Sequence, residues 1–492
     1  MQRILPLVAE HALFDIAQTR ALEQRAAASL APHTLMARAG EATARLALAI
    51  APHAEHIWVA AGPGNNGGDG LEAAGHLQRW GKRVTVTLVG DAAALPADAR
   101  EALAWARAAG AHLDAEAPSS PGLAIDALLG IGATRAPQGA IAAAIGRLNA
   151  LPCPVLAIDL PSGLHADTGQ PLGNACVMAT HTLTMLSLKP GLFTAAGRDH
   201  AGAVWLARLG VDSAADPPRA WLSGAAAPHA RRHAQHKGSF GDVAIVGGGP
   251  GMSGAALLAA RAAHAAGAGR VFVELLDGTG GMLDPLRPEL MFRTGWTAHS
   301  TNEVLSRSTV VCGCGGGDAV RAPLPRLLSL AGKLVLDADA LNALASDAAL
   351  VPLLRARVGR GLATVLTPHP LEAARLLGCA TVEVQADRLH AAQTLADRLG
   401  AVVVLKGSGS VIAAPGSTPR INATGNASLA TAGTGDVLAG WLGGRWAQRD
   451  ANDAATAFTP AVQAVAEHGS AAEPPPSGAL RAGDLIERLH AR

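Results

Sequence analysis

The sequence predicts an α/β protein made of two domains. At 492 residues the chain is too long for one ordinary domain, which usually has about 100–200 residues. From about residue 56, short β-branched runs alternate with Ala- and Leu-rich stretches of helical length, a pattern typical of βαβ units around a parallel sheet. The alternation stops in a polar, Pro-containing stretch and then restarts. We therefore predict domains at residues 1–215 and 237–492, joined by a linker at 216–236.

The composition indicates a folded protein with almost no net charge. Hydrophobic residues make up 49% and charged residues 16%, which excludes a disordered chain. The net charge of +1 provides no field that attracts nucleic acid or a membrane surface, and no apolar run has the length of a membrane span. Glu10 and Asp15 interrupt the first stretch before a signal-like apolar run develops. Five cysteines suit a reducing compartment, so we expect a cytoplasmic protein.

Lysine is rare in this chain, which makes each lysine informative. Only five of the 40 basic residues are lysines, although a compact ammonium and a planar guanidinium are not interchangeable. Lys189 and Lys406 lie beside glycines in segments that we take as candidate binding sites. The five lysines are Lys82, Lys189, Lys237, Lys333 and Lys406.

Several predicted strands end in residues that carry chemistry. In open α/β sheets, ligands bind at the carboxyl ends of the strands, so Gly, Asp, His or Lys at these ends indicates candidate sites. A helix is predicted over residues 69–80, between the first two strands. The predicted strands are 56–60, 83–89, 123–126 and 155–159 in the first domain, and 242–246, 269–273, 309–311, 334–337, 363–366 and 401–405 in the second.

A glycine-rich segment, residues 62–70, follows the first of these strands and opens the predicted helix. It contains the spacing G-x-G-x-x-G, in which glycines let a phosphate approach the backbone and helix-terminal N–H groups point at it. A tight strand-to-helix turn explains the glycines equally well. The polar side chains of Asn65, Asn66 and Asp69 exceed what a tight turn needs, and they favour a binding loop.

Two further polar segments follow strands of the first half. Asp126 and Asp159 each end a predicted strand, and Ser162 follows closely after the second. A strand-end acid can merely cap the next helix, so either acid alone leaves the choice open. Three polar segments at the carboxyl ends of one sheet predict a shared pocket, and the rare Lys189 joins them.

Motifs of the first half resemble the NAD(P)H-hydrate epimerase family, also called the YjeF N-terminal family. They occur in order over roughly residues 10–215 as LMARAG, GPGNNGGDG, DALLGIGATR, DLPSGLHADTG and LKPGL. The resemblance implies a Rossmann-like three-layer fold that binds hydrated NADH or NADPH, with a potassium ion in the site.

The same resemblance implies roles for individual residues. Asn66, Asp126 and Ser162 would ligate potassium through oxygen atoms. Asp159 would face the hydrated nicotinamide ring as a general acid/base, and Lys189 would stabilise charge nearby. The implied substrate-binding residues are Asn65, Asn66, Gly67, Gly68, Asp69, Gly130, Ile131, Gly132, Ala133, Thr134, Arg135, Ala136 and Asp159.

The second half contains two glycine-rich helix starts. Residues 247–254 follow a strand, and close helix–sheet packing explains their small side chains as well as a ligand site does. Residues 433–436, Gly-Thr-Gly-Asp, open a helix whose free N–H groups form an anion hole for a transferring phosphoryl group. Asp436 can then take a proton from an attacking hydroxyl. A capping Asp at a glycine-rich helix start is the alternative.

Two other segments of the second half stand out. Residues 406–410, Lys-Gly-Ser-Gly-Ser, follow an apolar strand and place a rare lysine in a flexible loop suited to nucleotide phosphates. The Cys312-Gly313-Cys314 segment offers two thiols, which without further ligands make a poor zinc site. We therefore predict that these cysteines are small buried residues.

Motifs of the second half resemble the ribokinase-like superfamily and, within it, the NAD(P)H-hydrate dehydratases that use ADP or ATP. They span about residues 225–492 as KGSFGDVAIVGG, PELM, DADALNAL, LTPHPLEAARLL and GNASLATAGTGDVLAG. This chain has GCGGG at residues 313–317 where the family usually has GPGLG, and Leu371 stands where a Gly is usual. The glycines needed for backbone approach are kept.

This second resemblance implies two neighbouring binding sites. The hydrated nucleotide would contact Ala255, His369, Asp436 and either Gly315 or Gly317. The adenine nucleotide would be bound by Lys406, Gly407, Ser408, Gly409, Ser410 and Gly435.

Together, the two resemblances predict a bifunctional repair enzyme. Its first domain would interconvert the R and S hydrates of NADH or NADPH with K⁺, and its second would dehydrate the S hydrate with ADP or ATP and Mg²⁺. The sequence leaves open whether ADP or ATP is the phosphoryl donor and whether the hydrate of NADH or of NADPH is preferred. It also leaves open whether the protein is a monomer or a homo-oligomer. The alternative is a vitamin or sugar kinase of the ribokinase-like fold, fused to a non-catalytic nucleotide-sensing domain.

Overall fold

The computed structural model describes residues 1–7, 9–224, 233–278, 283–449, 454–473 and 479–491. It divides into two compact units, Met1–Leu7 with His11–Trp221, and Val8–Glu10 with Leu222–Arg492. Residues 225–232 of the predicted linker lie outside the described part. Within the predicted linker, Ala220–Ser223 form a strand, because Ala220 and Leu222 are apolar and become fully buried. Prolines and charged residues flank this short apolar run, so the sequence pattern did not predict a strand there.

The first unit is an α/β fold. Its helices are α1 (Ile16–Ser29), α2 (Thr34–Ile50), α3 (Asn65–Arg79), α4 (Ala97–Ala108), α5 (Gly139–Asn149) and α6 (Gly197–Ala201), with 3-10 turns at Ala92–Ala94 and Pro190–Leu192. Its strands are β1 (Gln2–Arg3), β2 (His11–Leu13), β3 (His56–Ala61), β4 (Arg83–Leu88), β5 (His112–Leu113), β6 (Leu123–Ala127), β7 (Val155–Ile158), β8 (His181–Met185) and β9 (Ala203–Ala207).

The main sheet of the first unit has helices on both faces. Its strand order is β1-β9-β8-β7-β6-β3-β4-β5, parallel throughout except for β1 against β9. Along β3, Ile57 and Val59 enter one core, which also contains residues of α2, α3 and α4, whereas Trp58 and Ala60 enter a second core with residues of α5. This alternation confirms the predicted three-layer fold. The strand order reverses at β3, so the segments after β3 and β6 flank the point where such sheets bind ligands.

The second unit is also an α/β fold. Its strands are β11 (Asp242–Gly247), β12 (Arg270–Leu275), β13 (Met291–Phe292), β14 (Thr309–Cys312), β15 (Lys333–Leu336), β16 (Thr364–Leu366), β17 (Val402–Leu405), β18 (Val411–Ala413) and β19 (Arg420–Asn422), while β10 (Ala220–Ser223) lies at the unit boundary. Its helices are α7 (Ser253–Ala265), α8 (Trp296–His299), α9 (Asn302–Arg307), α10 (Leu324–Leu330), α11 (Asp339–Ser346), α12 (Leu350–Ala356), α13 (Pro370–Leu377), α14 (Thr381–Ala386), α15 (Arg388–Leu399), α16 (Thr434–Ala447), α17 (Ala454–Ala471) and α18 (Ala482–His490), with 3-10 turns at Lys237–Phe240, Gly317–Arg321, Val358–Arg360 and Ala427–Leu429.

The sheet of the second unit reverses its order at β11. The strand order is β13-β12-β11-β14-β15-β16-β17, and all of these strands pair in parallel. Strands β18 and β19 follow β17 in antiparallel pairing. The segments after β11 and β14 therefore flank the second expected ligand position. Helix α16 packs very closely on α7, since a Cβ at Gly440 would lie 2.0 Å from the Ala259 carbonyl oxygen. This close packing fixes the N-terminus of α16 at the carboxyl ends of the strands.

The structure differs from the predicted elements mainly at their ends. Helix α3 begins at Asn65 and not at residue 69, so the Asn-Asn-Gly-Gly-Asp segment forms the first helical turns and is not a loop. Glycine and asparagine are weak helix formers, which is why the sequence pattern placed the start too late. In the described residues, no helix is both long enough and apolar enough to cross a membrane.

Candidate active sites

The turn between β3 and α3 depends on two glycines. A Cβ at Gly62 would lie 1.8 Å from the Leu128 carbonyl oxygen, and one at Gly67 would lie 2.0 Å from the Gly62 carbonyl oxygen. Both glycines thus allow close backbone packing, as the tight-turn alternative proposed. The side chains of Asn65 and Asn66 lie at the N-terminus of α3, where unpaired helical N–H groups favour an anion.

Asp126 and Ser162 form a buried polar pair at the carboxyl ends of β6 and β7. The Asp126 carboxylate accepts hydrogen bonds from the Ser162 hydroxyl (2.6 Å) and the Ser162 backbone N–H (2.8 Å). Burial raises the pKa of Asp126 to about 6, although the bonds from Ser162 and Leu128 oppose the rise. Among the described residues, no cationic side chain contributes to the electrostatics of Asp126. The pair therefore presents a buried carboxylate whose charge lacks a counterion.

Asn66 faces the loop that follows β6. Its side-chain nitrogen is buried and finds no hydrogen-bond partner in the part of the chain that the structure describes. A Cβ at Gly130 would lie 3.3 Å from Asn66 Oδ1, so this loop packs directly on the amide. The rest of the predicted substrate loop lies half-buried or exposed at the surface, namely Ile131, Gly132, Ala133, Thr134, Arg135 and Ala136.

Asp159 and Lys189 form a buried ion pair. Lys189 Nζ donates to Asp159 Oδ1 at 2.5 Å, to Thr184 Oγ1 at 2.9 Å and to the Met185 carbonyl at 2.8 Å. These three bonds use all the N–H groups of the ammonium, so Lys189 acts on a ligand only through Asp159. The Met185 backbone N–H also donates to Asp159 Oδ1, at 3.2 Å. These contacts converge on Oδ1, and Oδ2 is the oxygen that can face a ligand.

The backbone of Asp159 adopts a left-handed conformation, with φ at 66°. Non-glycine residues rarely take this conformation, and such strained positions concentrate at functional sites. The Asp159 backbone N–H donates to the Leu183 carbonyl at 2.8 Å, which holds the segment against the neighbouring strand. The strained turn therefore aims the carboxylate at Lys189.

Sequence reasoning missed Glu23, which lines a cavity of about 230 Å³ together with Asn65, Asp69 and Met185. Burial raises the pKa of Glu23, and the Asp159 carboxylate adds to the rise. Burial also raises the pKa of Asp69 well above its ordinary value, with further contributions from Asp159 and Glu23. Glu23 lies on α1, far from every motif in sequence, so no local signal pointed to it.

In the second unit, the glycine loops after β11 and β14 bind each other. The Gly248 N–H donates to the Cys314 carbonyl at 2.9 Å, and the Gly249 N–H donates to the Gly315 carbonyl at 2.6 Å. Gly315 has φ at 58°, and a Cβ there would lie 2.8 Å from the Ala255 Cβ. Gly317 also has positive φ, but a Cβ there would meet no atom within 4 Å. Gly315 therefore packs on Ala255, while Gly317 borders open space.

A polar centre lies where β15, β17 and α16 meet, and we define it as Cys314, Asp337, Thr367, Lys406 and Asp436. Lys406 Nζ donates to Asp337 Oδ1 at 2.7 Å, and the Thr367 hydroxyl donates to the same oxygen at 2.8 Å. Burial alone would lower the pKa of Lys406, but Asp337 and the nearby Glu372 outweigh it and raise the pKa. The lysine predicted to meet phosphates is thus held charged by a carboxylate. Asp337 was missed as a site residue, although it follows a strand as Asp126 and Asp159 do.

Asp436 occupies the first turn of α16, as predicted. The helix begins at Thr434 after Gly433, whose φ of 90° allows the sharp entry. Burial raises the pKa of Asp436 to about 6, and Asp337 adds to the rise, while the Cys314 thiol lowers it by hydrogen bonding. A Cβ at Gly435 would lie 3.3 Å from Lys406 Nζ, so the ammonium lies against the same helical turn. The carboxylate, the ammonium and the first-turn N–H groups thus face one small region.

His369 and Glu372 form a reciprocal cap at the start of α13. The His369 backbone N–H donates to Glu372 Oε2 at 2.8 Å, and the His369 ring accepts from the Leu371 N–H at 3.2 Å. Burial lowers the pKa of His369, and Lys406 adds to the effect. Burial raises the pKa of Glu372 to about 7. This cap holds the imidazole ring, about half of which is exposed, beside the polar centre.

A buried arginine supports the predicted nucleotide loop. Arg388 is 2% exposed and donates to the carbonyl oxygens of Leu405 and Lys406, both at 3.1 Å. Gly407 follows with φ at 135°, and a Cβ there would lie 3.0 Å from the Arg388 guanidinium. The Ser410 hydroxyl donates back to the Gly407 carbonyl at 3.1 Å, which closes the loop. Sequence reasoning missed Arg388, because its contact depends on the packing of α15 against β17.

We expect Gly407→Ala to raise the KM for ADP or ATP, because the new Cβ must displace Arg388 and with it the loop. The left-handed backbone at this position should also destabilise the protein by about 1–3 kcal/mol. Gly416→Ala is the matched control, since Gly416 has φ at 66° but open space around its Cβ. Nucleotide titrations and melting curves of both variants test this expectation. An unchanged KM in Gly407→Ala would contradict a role of the loop in nucleotide binding.

Comparison with known proteins decides the family. A model of NAD(P)H-hydrate dehydratase matches residues 243–489, and a model of the YjeF-related protein N-terminus matches residues 32–191. The bifunctional NAD(P)H-hydrate repair enzyme of Escherichia coli (strain K12) is 37% identical over 488 residues, which cover 95% of this chain and 90% of that protein. The chain belongs to the family of bifunctional NAD(P)H-hydrate repair enzymes. Both resemblances inferred from the motifs are thereby confirmed.

Other members of the repair-enzyme family are similarly close. The Leishmania braziliensis protein is 37% identical over 501 residues, covering 92% of this chain and 88% of its own. Among solved structures, an ADP/ATP-dependent NAD(P)H-hydrate dehydratase from Bacillus subtilis, co-crystallised with ATP/Mg²⁺, is 28% identical. It covers 54% of this chain and 92% of its own, with a TM-score of 0.42.

Proposed function

We propose that this chain restores hydrated NADH and NADPH to their active forms in two reactions. The first unit interconverts the R and S epimers of the hydrate at C6. The second unit dehydrates the S epimer with a phosphoryl group from ADP or ATP, and it releases AMP or ADP together with phosphate. Membership of the repair-enzyme family supports both activities.

The observation that carries the proposal is the convergence of Asp436, Lys406 and the first turn of α16. These groups provide a base, a positive charge and free N–H donors at one place, which are the components that phosphoryl transfer to a hydroxyl requires. They come from segments 30 residues apart in sequence, and only the fold brings them together. His369 lies next to these groups at the carboxyl ends of the strands. The contact between Gly315 and Ala255 lies at the same edge of the sheet.

In the proposed dehydration, the Asp436 carboxylate removes the proton of the C6 hydroxyl. The hydroxyl oxygen attacks the terminal phosphorus of the nucleotide, and the bond from that phosphorus to the bridging oxygen breaks. The phosphate ester at C6 then leaves as inorganic phosphate, and loss of a proton from C5 restores the C5–C6 double bond. Lys406 and the N–H group of Gly435 stabilise the charge on the phosphoryl oxygens. The pKa of Asp436, near 6, leaves the base ionised at neutral pH.

Mg²⁺ is proposed to enter with the nucleotide. This ion is usually held by substrate phosphates and one or two carboxylates, and the Asp337 carboxylate would match that preference. When bound, Mg²⁺ neutralises charge on the phosphates. The loop of Lys406, Gly407, Ser408, Gly409 and Ser410 is proposed to position the nucleotide beside it.

In the proposed epimerisation, Asp159 takes the proton of the C6 hydroxyl while the C6–N1 bond breaks and N1 gains a proton, which gives an open-chain aldehyde. Reversal of these steps on the opposite face of C6 inverts the centre and returns both protons. Lys189 positions the carboxylate, since its ammonium is buried against Oδ1. Burial raises the pKa of Asp69, which lines the cavity bordered by Glu23, Asn65 and Met185, so its side chain can reach a ligand bound there. Asn65 and Asn66 lie at the helix N-terminus that we assign to a phosphate of the dinucleotide.

The donors around Asp126 fit a potassium ion. The buried Asp126 carboxylate forms no ion pair among the described residues, Ser162 supplies a hydroxyl oxygen, and Asn66 offers its side-chain Oδ1 beside Gly130. Hard oxygen donors of this kind suit an alkali cation. When bound, K⁺ would neutralise Asp126 and fix the loops after β3, β6 and β7.

A mixture of R and S hydrates tests the proposed function. Incubation with the protein, Mg²⁺ and ADP or ATP should convert the whole mixture to reduced nicotinamide, which absorbs in the near ultraviolet, with release of phosphate. Conversion of the S half alone would refute the epimerase assignment. Accumulation of a stable phosphorylated product without reduced nicotinamide would instead indicate a kinase.

We expect Asp126→Ala to slow epimerisation by about 10- to 100-fold and to abolish its dependence on K⁺, because the ion loses its charged ligand. Dehydration of pure S hydrate should be unchanged. The matched control is Asp114→Ala, since Asp114 follows β5 but is exposed. The measurement is the epimer exchange rate in K⁺ and in a bulky monovalent cation. Equal loss of both activities would indicate misfolding and contradict the assignment.

A further inference from the structure

The polar centre of the second unit contains a thiol that the proposed reaction does not use. Cys314 is 1% exposed, and its Sγ lies 3.9 Å from Asp337 Oδ2. A carboxylate oxygen of Asp436 lies within 4.8 Å of the same sulfur. The sulfur and one oxygen of each carboxylate all lie within 4.8 Å of one another. Two thiols alone made a poor zinc site in the sequence, but the fold adds two carboxylates to one of them.

We propose that Cys314, Asp337 and Asp436 form a binding site for Zn²⁺ or a divalent ion of similar chemistry. Zinc binds sulfur at about 2.3 Å and carboxylate oxygen at about 2.0–2.2 Å in tetrahedral geometry, so its ligand atoms lie about 3.5 Å apart. The three atoms therefore need to close in by about 1.3 Å at most. Three protein ligands with a fourth, open position is the pattern of reactive zinc sites.

The surroundings of Asp337 orient it for this role. Its Oδ1 accepts hydrogen bonds from Lys406 and Thr367, which leaves Oδ2 on the side of Cys314. Carboxylate ligands are commonly held in this way through the oxygen that does not face the metal. Lys406 adds a positive charge, but a thiolate and two carboxylates outweigh it. Binding converts the thiol to a thiolate, so each ion that binds releases one proton to the solvent.

The thiolate also sets the chemical class of the ion. Sulfur ligands select zinc-like ions, whereas Mg²⁺ prefers oxygen ligands and water. A zinc-like ion at this site shares Asp337 with the Mg²⁺ that accompanies a nucleotide, but the thiolate favours the zinc-like ion. It also occupies the Asp436 carboxylate, and a carboxylate bound to a metal does not accept a proton from substrate.

The site therefore predicts inhibition of dehydration by Zn²⁺, with epimerisation spared. The inhibition rests on the proposed role of Asp436, whereas the binding itself does not. Zinc should lower the rate of S-hydrate dehydration in the parent protein, and removal of the ion by a chelator should restore it.

Co²⁺ provides the direct test of binding, because a cobalt–thiolate bond absorbs in the near ultraviolet and tetrahedral cobalt absorbs in the visible. Titration of the reduced full-length protein with Co²⁺ should produce both bands. Zn²⁺ should remove them, and excess Mg²⁺ should not. The thiolate band should be lost in Cys314→Ala. Cys312→Ala is the matched control, since Cys312 is equally buried two residues away but lies outside the cluster.

Melting curves of both variants show whether they are folded. A thiolate band that persists in folded Cys314→Ala, or that disappears in folded Cys312→Ala, would overturn the site, as would the absence of any band in the parent protein. A normal band together with full dehydration activity in saturating Zn²⁺ would keep the metal site. That result would reject Asp436 as the base, so the two proposals fail separately.

Discussion

Asp436→Asn is expected to lower dehydratase turnover by about 100- to 10,000-fold, the usual contribution of a positioned general base. The asparagine keeps the size of the side chain and its place in the first turn of α16, but it cannot accept the proton of the C6 hydroxyl. The buried position of Asp436 favours the loss of charge, so the fold should tolerate the change. Turnover of pure S hydrate at saturating nucleotide measures the effect.

Two controls separate chemistry from structure in this experiment. Asp484→Asn removes another first-turn acid, on α18, where Asp484 pairs with Arg481 at the surface and touches no candidate site. It should leave dehydration unchanged. Nucleotide binding and epimerisation by Asp436→Asn should also persist. Turnover of Asp436→Asn near the parent value would mean that Asp436 only stabilises the helix start.

Breaking the Asp159–Lys189 pair should have the largest effect on the first unit. Either Asp159→Asn or Lys189→Met leaves the other charge buried without its partner, which costs about 3–5 kcal/mol. Epimerisation should fall by about 100- to 10,000-fold in Asp159→Asn, since the acid/base is lost. Lys189→Met should also slow epimerisation, because the Asp159 carboxylate loses the ammonium that holds its Oδ1.

The double variant distinguishes positioning from general damage. Asp159→Asn combined with Lys189→Met removes both charges, so it should recover much of the lost stability while remaining inactive as an epimerase. Lys82→Met is the matched control, because Lys82 is an exposed lysine of the same unit that donates to the Pro52 carbonyl. A double variant no more stable than the single variants would contradict the buried ion pair. Full epimerase activity in folded Lys189→Met would contradict the positioning role.

Strand positions and motifs were readable from the sequence because their signals are local. Runs such as Val402–Leu405 are apolar and β-branched, and they became fully buried strands within one or two residues of the prediction. The helix start at Gly433 and Thr434 was also predicted correctly, since glycine before a run of small residues is a local signal. The rarity of lysine was equally informative, because Lys189 and Lys406 both proved to be ion-pair partners of site carboxylates.

Element boundaries were less accurate where a local rule misled. Asn65 and its neighbours have low helix propensity, yet they begin α3, because Gly67 permits close packing of the helix on the turn before it. The strand Ala220–Ser223 was not predicted, because prolines and charged residues flank its short apolar run. In both places tertiary packing outweighed the propensity of a few residues.

By itself, the sequence determined the fold class and the family, because these depend on hydrophobic pattern and on short motifs, and it pointed to polar residues at the strand ends. Only the tertiary structure decided which of those residues meet. Asp337 with Lys406, Cys314 with Asp436, and Glu23 with the cavity near Asp159 are pairings between segments far apart in the chain. Their charges, their raised pKa values and the thiol–carboxylate cluster arise from burial at the edge of a parallel sheet, and that burial depends on strand order, which no local pattern encodes.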